Sequence, residues 1–153
     1  FEKRHPIFRI NLIKAAEDQY YLPKILSWAK QNIENGPIAV STSADTEEVK
    51  RTQNALGVKG AAYQADHILG KVSRGLFDLG VRKFIVAGGE TSGQVINSLN
   101  VTNVVVSSFD NLSGGYCHQG GKNPVSFVLK AGAIGKENFV FDALERMRMA
   151  ERE

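Results

Sequence analysis

Lys83-Phe84-Ile85-Val86-Ala87, followed without a break by Gly88-Gly89-Glu90-Thr91-Ser92-Gly93, is the stretch that decides the fold. The first five residues form a short run, apolar after Lys83, as a buried strand requires. Val95, Ile96 and Leu99 then recur at helical spacing beyond the glycines. A strand handing over through glycines to a helix is the repeating unit of an α/β sheet. The junction also has chemical consequences. The first turn of a helix carries backbone N–H groups without intrahelical acceptors, at the positive end of the helix dipole, and both favour an anion such as a phosphate. Gly88 and Gly89 lack a Cβ, so a ligand can approach their main chain closely. The competing reading is that the two glycines only let the chain turn. The hexapeptide matches neither G-x-G-x-x-G nor G-x-x-x-x-G-K-[ST]; elsewhere Gly135-Lys136 is followed by Glu137 and Gly70-Lys71 by Val72.

Upstream, Pro6–Asn11 reads as a short extended segment. A helix follows over Tyr21–Glu34, with Leu22, Ile25, Leu26, Ala29 and Ile33 on one stripe, and Gly36-Pro37 stops it. Ile38–Thr42 is a short buried strand. Asp45 is placed as an N-cap with Glu48 completing a capping box, for a helix over Thr46–Leu56 that ends at Gly57. A long helix over Gly60–Leu79 presents Ala61, Ala65, Ile68, Leu69, Val72 and Leu76, and Gly80 ends it. Downstream, Val101–Val106 reads as a third strand and polar, glycine-rich Ser107–Asn123 as a long loop. Val125–Lys130 is a fourth strand, and Ala131–Gly135 a further glycine-bearing turn. The last helix carries Phe139, Val140, Ala143, Leu144 and Met147.

Strands alternating with helices predict a single α/β domain over residues 1–153: a three-layer α/β/α sandwich with a mostly parallel sheet. In such sheets ligands bind beyond the carboxyl ends of the strands. Three turns fall there, Ser41–Ser43, Gly88–Gly93 and Ala131–Gly135, and they are expected to line one crevice.

Composition sets the outer bounds. With 153 residues, 42% hydrophobic and 23% charged, the chain can bury a real core. Its apolar runs are too short for a membrane-spanning helix, and no secretory signal opens it. It begins at Phe1 rather than Met, which reads as a portion of something longer. The lone Cys117 predicts no internal disulfide and a reducing, cytoplasmic setting. Its neighbour His118 suggests a nucleophile pair or a metal site, but sequence neighbours rarely converge on one atom and further ligands are lacking. No metal site is expected, and no histidine pairs with an acid as a general base, so the catalytic residues stay unassigned. The net charge of +3 comes from scattered Lys and Arg without interleaved aromatics, which argues against nucleic acid and for a phosphorylated small molecule.

Taken in order, His5–Ile10, Pro37–Asp45, Phe84–Gly93 and Val128–Gly135, with Phe139 and Leu144 beyond, resemble the carboxyl-terminal, nucleotide-binding domain of the four-carbon acid sugar kinase family. The string Ala87-Gly88-Gly89-Glu90-Thr91-Ser92-Gly93 is the specific part. The resemblance implies ATP, with Mg²⁺, as the phosphoryl donor to a sugar-acid hydroxyl. It also implies nucleotide contacts at Gly88, Gly89, Glu90, Thr91 and Gly132. Glu90, acceptor-only when ionised, suits a ribose or a Mg²⁺-bound water better than a phosphate.

Two departures stand out. Ala131-Gly132-Ala133-Ile134-Gly135 replaces the family's S-G-N-F-G, and the preceding loop lacks a Pro-Trp element. The family's amino-terminal sugar-acid domain, with its D-D-x-T-G-type motif, has no counterpart in these residues. The expectation is therefore a domain that binds nucleotide and, without an acceptor domain or partner chain, does not turn over a sugar acid. The alternatives are a non-catalytic regulatory or assembly module that has lost the nucleotide, with a homo- or hetero-oligomer as its form, and a small enzyme acting through Cys117 in the Gly114–Gly121 loop.

Overall fold

The computed structural model describes residues 4–107, 115–131 and 137–150. The chain divides into two compact units, one up to Leu79 and one from Gly80. Each combines helices with strands, so the α/β class is as the sequence implies.

In the first unit, β1 (Ile7–Arg9) pairs in parallel with β2 (Ala39–Ser41). Between them run α1 (Leu12–Glu17), α2 (Tyr21–Asn32) and a 3₁₀ turn at Ile33–Asn35; α3 (Thr46–Leu56) and α4 (Val58–Asp78) follow β2. The periodicity analysis passes over α1 because six residues are too few for a helical stripe. What starts it is local: the Asn11 side chain accepts from the Lys14 N–H at 2.9 Å. Asp45 caps α3 as expected, accepting from the Glu48 N–H at 2.8 Å. The Glu48 carboxylate turns instead to Asn11 Nδ2, at 3.2 Å, and to Arg51. The helix α4 starts two residues before the expected Gly60, because Gly57, at φ +75°, reverses the chain within a single residue. Ile25 and Ala29 of α2 and Ile68 and Val72 of α4 are buried as the stripes require. Phe8 meets Trp28 edge-on at 5.3 Å between centroids.

The packing of α2 on α4 depends on Gly75. A Cβ there would lie 2.5 Å from Leu26 Cδ1 and 3.1 Å from its Cγ, so the whole isobutyl group would have to move. Gly75→Ala should lower stability by about 1–3 kcal/mol through overpacking, against a propensity gain of about 1 kcal/mol. Urea unfolding checks this; an unchanged or higher midpoint would contradict it.

The second unit is a four-stranded sheet in the order β3-β6-β5-β4, built from β3 (Lys83–Ala87), β4 (Val105–Val106), β5 (Gly115–Gln119) and β6 (Val125–Lys130). The inner pair β3–β6 is parallel, with Phe84 opposite Phe127 and Ala87 opposite Lys130. The strand β5 runs antiparallel to both β6 and β4. Two sequence expectations need correction here. The strand expected over Val101–Val106 pairs only at its last two residues, and the expected Ser107–Asn123 loop contains β5. Gly115-Tyr116-Cys117-His118-Gln119 has no strong strand composition; it is extended because neighbours on both sides satisfy its backbone.

Two helices complete this unit, α5 (Gly89–Ser98) and α6 (Phe139–Met149). Phe139, Ala143 and Met147 of α6 pack on Val128, with Ile85 and Tyr116 beside it. Phe84, Val86 and Phe127 alternate to the other face and are equally buried. The remaining helix α5 packs on β3 and β6 and buries Val95 and Leu99, which puts it on that second face.

Candidate functional site

The strands β3 and β6 are parallel neighbours, and their following helices leave toward opposite faces of the sheet. This arrangement makes the carboxyl end of the pair a topological switch point, where open α/β sheets form ligand crevices. The Gly88 N–H donates to the Lys130 carbonyl at 2.8 Å, one residue beyond the Ala87–Lys130 register pair. The two glycine-bearing junctions of the second unit therefore start side by side. The third, Ser41–Ser43, belongs to the first unit.

Gly88 and Gly89 are glycines for different reasons. Gly88 is the N-cap of α5, at φ +120° and ψ +131°, a conformation that side-chain-bearing residues avoid. A Cβ on it would also press on Thr91 Oγ1 at 3.1 Å. Gly89 is already the first helical residue, and among the described residues a Cβ there would meet nothing within 4 Å. Internal packing and φ thus account for Gly88; open space in front of the backbone is what distinguishes Gly89. The sequence reading of Gly88–Gly93 as a turn is corrected to a one-residue turn followed by a helix.

Ser92 holds this cap: its N–H and its Oγ both donate to the Gly88 carbonyl, at 2.9 and 2.7 Å. Pattern reading missed that role, although a Ser four residues after a cap glycine is a visible signal for it. The Ser92 N–H makes the first bond to the cap carbonyl, so the amides of Gly89 and Glu90 precede it in the turn whose donors lack intrahelical acceptors. No side chain caps them in the usual way. Glu90 is exposed in this first turn and Thr91 half-buried. Gly132 lies outside the described residues, so four of the five expected contact positions are placed, all in one turn.

At the same edge α6 begins, again without a side-chain cap from Asn138. The Lys130 ammonium lies 5.9 Å from the centre of the Phe139 ring, the first residue of that helix. The first turns of these two helices also carry one carboxylate each, Glu90 and Asp142, so the donors at this edge are the main-chain amides and the Lys130 ammonium.

The first unit has a cleft of its own, about 460 Å³, at the carboxyl ends of β1 and β2, lined by Arg9, Asn11, Ser43, Asp45 and Glu48 among others. Its polar groups already serve the fold: Asn11 and Asp45 cap helices, and Glu48 accepts from Asn11 and Arg51.

Cys117 sits in β5 opposite Phe127, not in a loop, and is 5% exposed. Burial pushes its thiol up, so the nucleophilic thiolate is disfavoured at neutral pH. His118 is exposed, on the opposite face of the strand, so the two neighbours point apart, as the sequence reading of adjacent residues has it. Iodoacetamide at mildly alkaline pH should label Cys117 in urea far faster than in the folded chain; equal rates would contradict this burial. Among the described residues no group of three or more His, Cys, Asp or Glu could hold a metal ion.

Comparison with known proteins now assigns the family. The family of nucleotide-binding C-terminal domains matches residues 1–140. A 3-oxo-tetronate kinase of Pseudomonas fluorescens is 32% identical over 146 residues, covering 95% of this chain and 34% of that protein. One of Burkholderia multivorans is 33% identical over 142 residues, covering 93% and 33%. A Haemophilus influenzae protein of known crystal structure superposes with a TM-score of 0.83 at 24% identity, covering 94% of this chain and 35% of that one. The chain belongs to the carboxyl-terminal nucleotide-binding domains of the four-carbon acid sugar kinase family. It spans about a third of the length of the curated relatives it matches.

Proposed function

We propose that this chain binds ATP at the carboxyl edge of β3 and β6, as the nucleotide half of a kinase that phosphorylates a hydroxyl of a sugar acid. The observation that carries the reading is the start of α5, where the amides of the first turn stand at a Gly89 whose Cβ position meets no described residue within 4 Å. That donor set fits phosphate oxygens and needs no side chain. Thr91 adds a hydroxyl, and exposed Glu90 can accept from ribose hydroxyls or from water on Mg²⁺. Because no acidic cluster is formed among the described residues, we assign Mg²⁺ to the nucleotide's own phosphates and water rather than to a protein cage. Gly132, after β6, is proposed to approach the same ligand through its backbone.

Phosphoryl transfer rests on alignment of donor and acceptor and on neutralising charge. The residues placed here serve the donor. We assign the sugar acid to the part of the relatives that this chain does not match, or to a partner chain, so the chain alone is expected to bind ATP without sugar-acid turnover. The proposal keeps residues 1–153 as one nucleotide-binding domain working in the cytoplasm, with nucleic acid and membranes left out as partners; no described helix is long and apolar enough to cross a membrane. Calorimetric titration with ATP and Mg²⁺ tests the central point. Saturable binding is expected, and no heat or thermal stabilisation at millimolar nucleotide would overturn it.

A second reading, an assembly module, has one observation in its favour. Val105 and Val106 of β4, with Val104 before them, are exposed, and among the described residues no strand pairs with the outer edge of β4. Light scattering decides it: a homo-oligomer with no nucleotide response would favour this reading.

A further inference from the structure

Lys130 occupies a position that the kinase reading leaves without a role. Its carbonyl accepts the Gly88 N–H at 2.8 Å, so its peptide is joined directly to the cap of α5. Its register partner is Ala87, the last residue of β3. Its side chain leaves on the α6 side, where the ammonium lies over the Phe139 ring at 5.9 Å. One residue thus links the two helix N-termini that converge on this edge, with its backbone on one and its charge on the other. The helix ends supply partial positive charge from amides alone, and Lys130 adds a whole charge on a flexible stem at the point between them.

We infer that Lys130 is the residue that recognises the outer phosphates of the bound nucleotide, setting preference for a triphosphate over a monophosphate. This rests on the reading of the β3–β6 edge as an ATP site. The physical division of labour is clear: fixed amides grip whichever phosphate enters the first turn of α5, whatever the chain length behind it. An ammonium gains most when two or three phosphates are present, because its contribution is charge attraction rather than shape. Its perch on Phe139 keeps the cation at the edge before the ligand arrives, through the attraction of a ring face for a cation.

The test is calorimetric titration of the 153-residue chain and its Lys130→Met and Lys130→Arg variants with ATP, ADP and AMP in the presence of Mg²⁺, with unliganded melting temperatures as the fold control. Lys130→Met keeps the apolar stem and removes the charge. It should weaken ATP at least about tenfold, the scale of one charge-assisted hydrogen bond, and leave AMP nearly unchanged. Lys130→Arg should retain ATP binding within roughly threefold, since a cation remains. Equal losses for ATP and AMP in Lys130→Met would mean a structural role and overturn the inference. Undiminished ATP binding by Lys130→Met would overturn it while leaving the ATP reading standing. Failure of the unmodified chain to bind any of the three nucleotides would remove the ATP reading and this inference together.

Discussion

Gly89→Val is expected to abolish the rise in melting temperature that the proposed ATP binding would give the unmodified chain, while the unliganded melting temperature changes little. A ligand at a hundred times its Kd stabilises by about 2.7 kcal/mol, which for a chain of this size is a shift of roughly 5–10 °C. The valine side chain would stand in the space where a Cβ on Gly89 meets no described residue within 4 Å, and so block a ligand without striking those residues. Gly88→Ala is the informative companion. At φ +120° and with Thr91 Oγ1 only 3.1 Å from the new Cβ, it should cost about 1–3 kcal/mol in the absence of any ligand. The two neighbouring glycines are thus expected to fail differently, one in binding and one in folding. A Gly89→Val chain that responds to ATP like the unmodified one would show that the phosphates do not approach this backbone.

Phe127→Ala is expected to be the most damaging single change to the fold. Phe127 is fully buried at the middle of β6, the strand that holds β3 on one side and β5 on the other. Its ring stacks on Phe84 at 5.9 Å between centroids, from the directly opposed register position. Removing it should cost about 3–5 kcal/mol, the range for a buried phenylalanine that leaves a cavity. Against a usual total of about 5–15 kcal/mol, that is enough to unfold the second unit near physiological temperature. The proposed nucleotide edge would be lost with it, because Ala87 and Lys130 are held level by this strand pair. Urea unfolding followed by circular dichroism measures the change, and a midpoint close to that of the unmodified chain would contradict the packing described.

The strand-to-helix junction at residues 83–99 was legible because each of its signals is local: a short apolar run, two glycines, then apolar spacing of a helix. The Asp45 cap and the whole of α3 were legible for the same reason, since a capping side chain reaches only three residues along the chain. The β5 strand was not. Tyr116, Cys117 and His118 have no shared period, and only the backbone partners on β4 and β6 make them a strand. Likewise Glu48 looked like the second half of a capping box, but an asparagine 37 positions away competes for its carboxylate. Of the candidate site, the α5 turn could be read directly, whereas for Lys130 the sequence allowed a place near a phosphate and a solvated strand-end charge about equally.

The order of residues by itself determined the α/β class, the glycine junction and the family, because apolar periodicity, caps and a seven-residue motif are properties of consecutive residues. The tertiary structure alone decided that β3 and β6 are parallel neighbours with helices leaving to opposite faces, and that Lys130 stands between two helix N-termini. Those facts depend on which strands exchange hydrogen bonds across the intervening residues 88–124, and no local pattern encodes that choice.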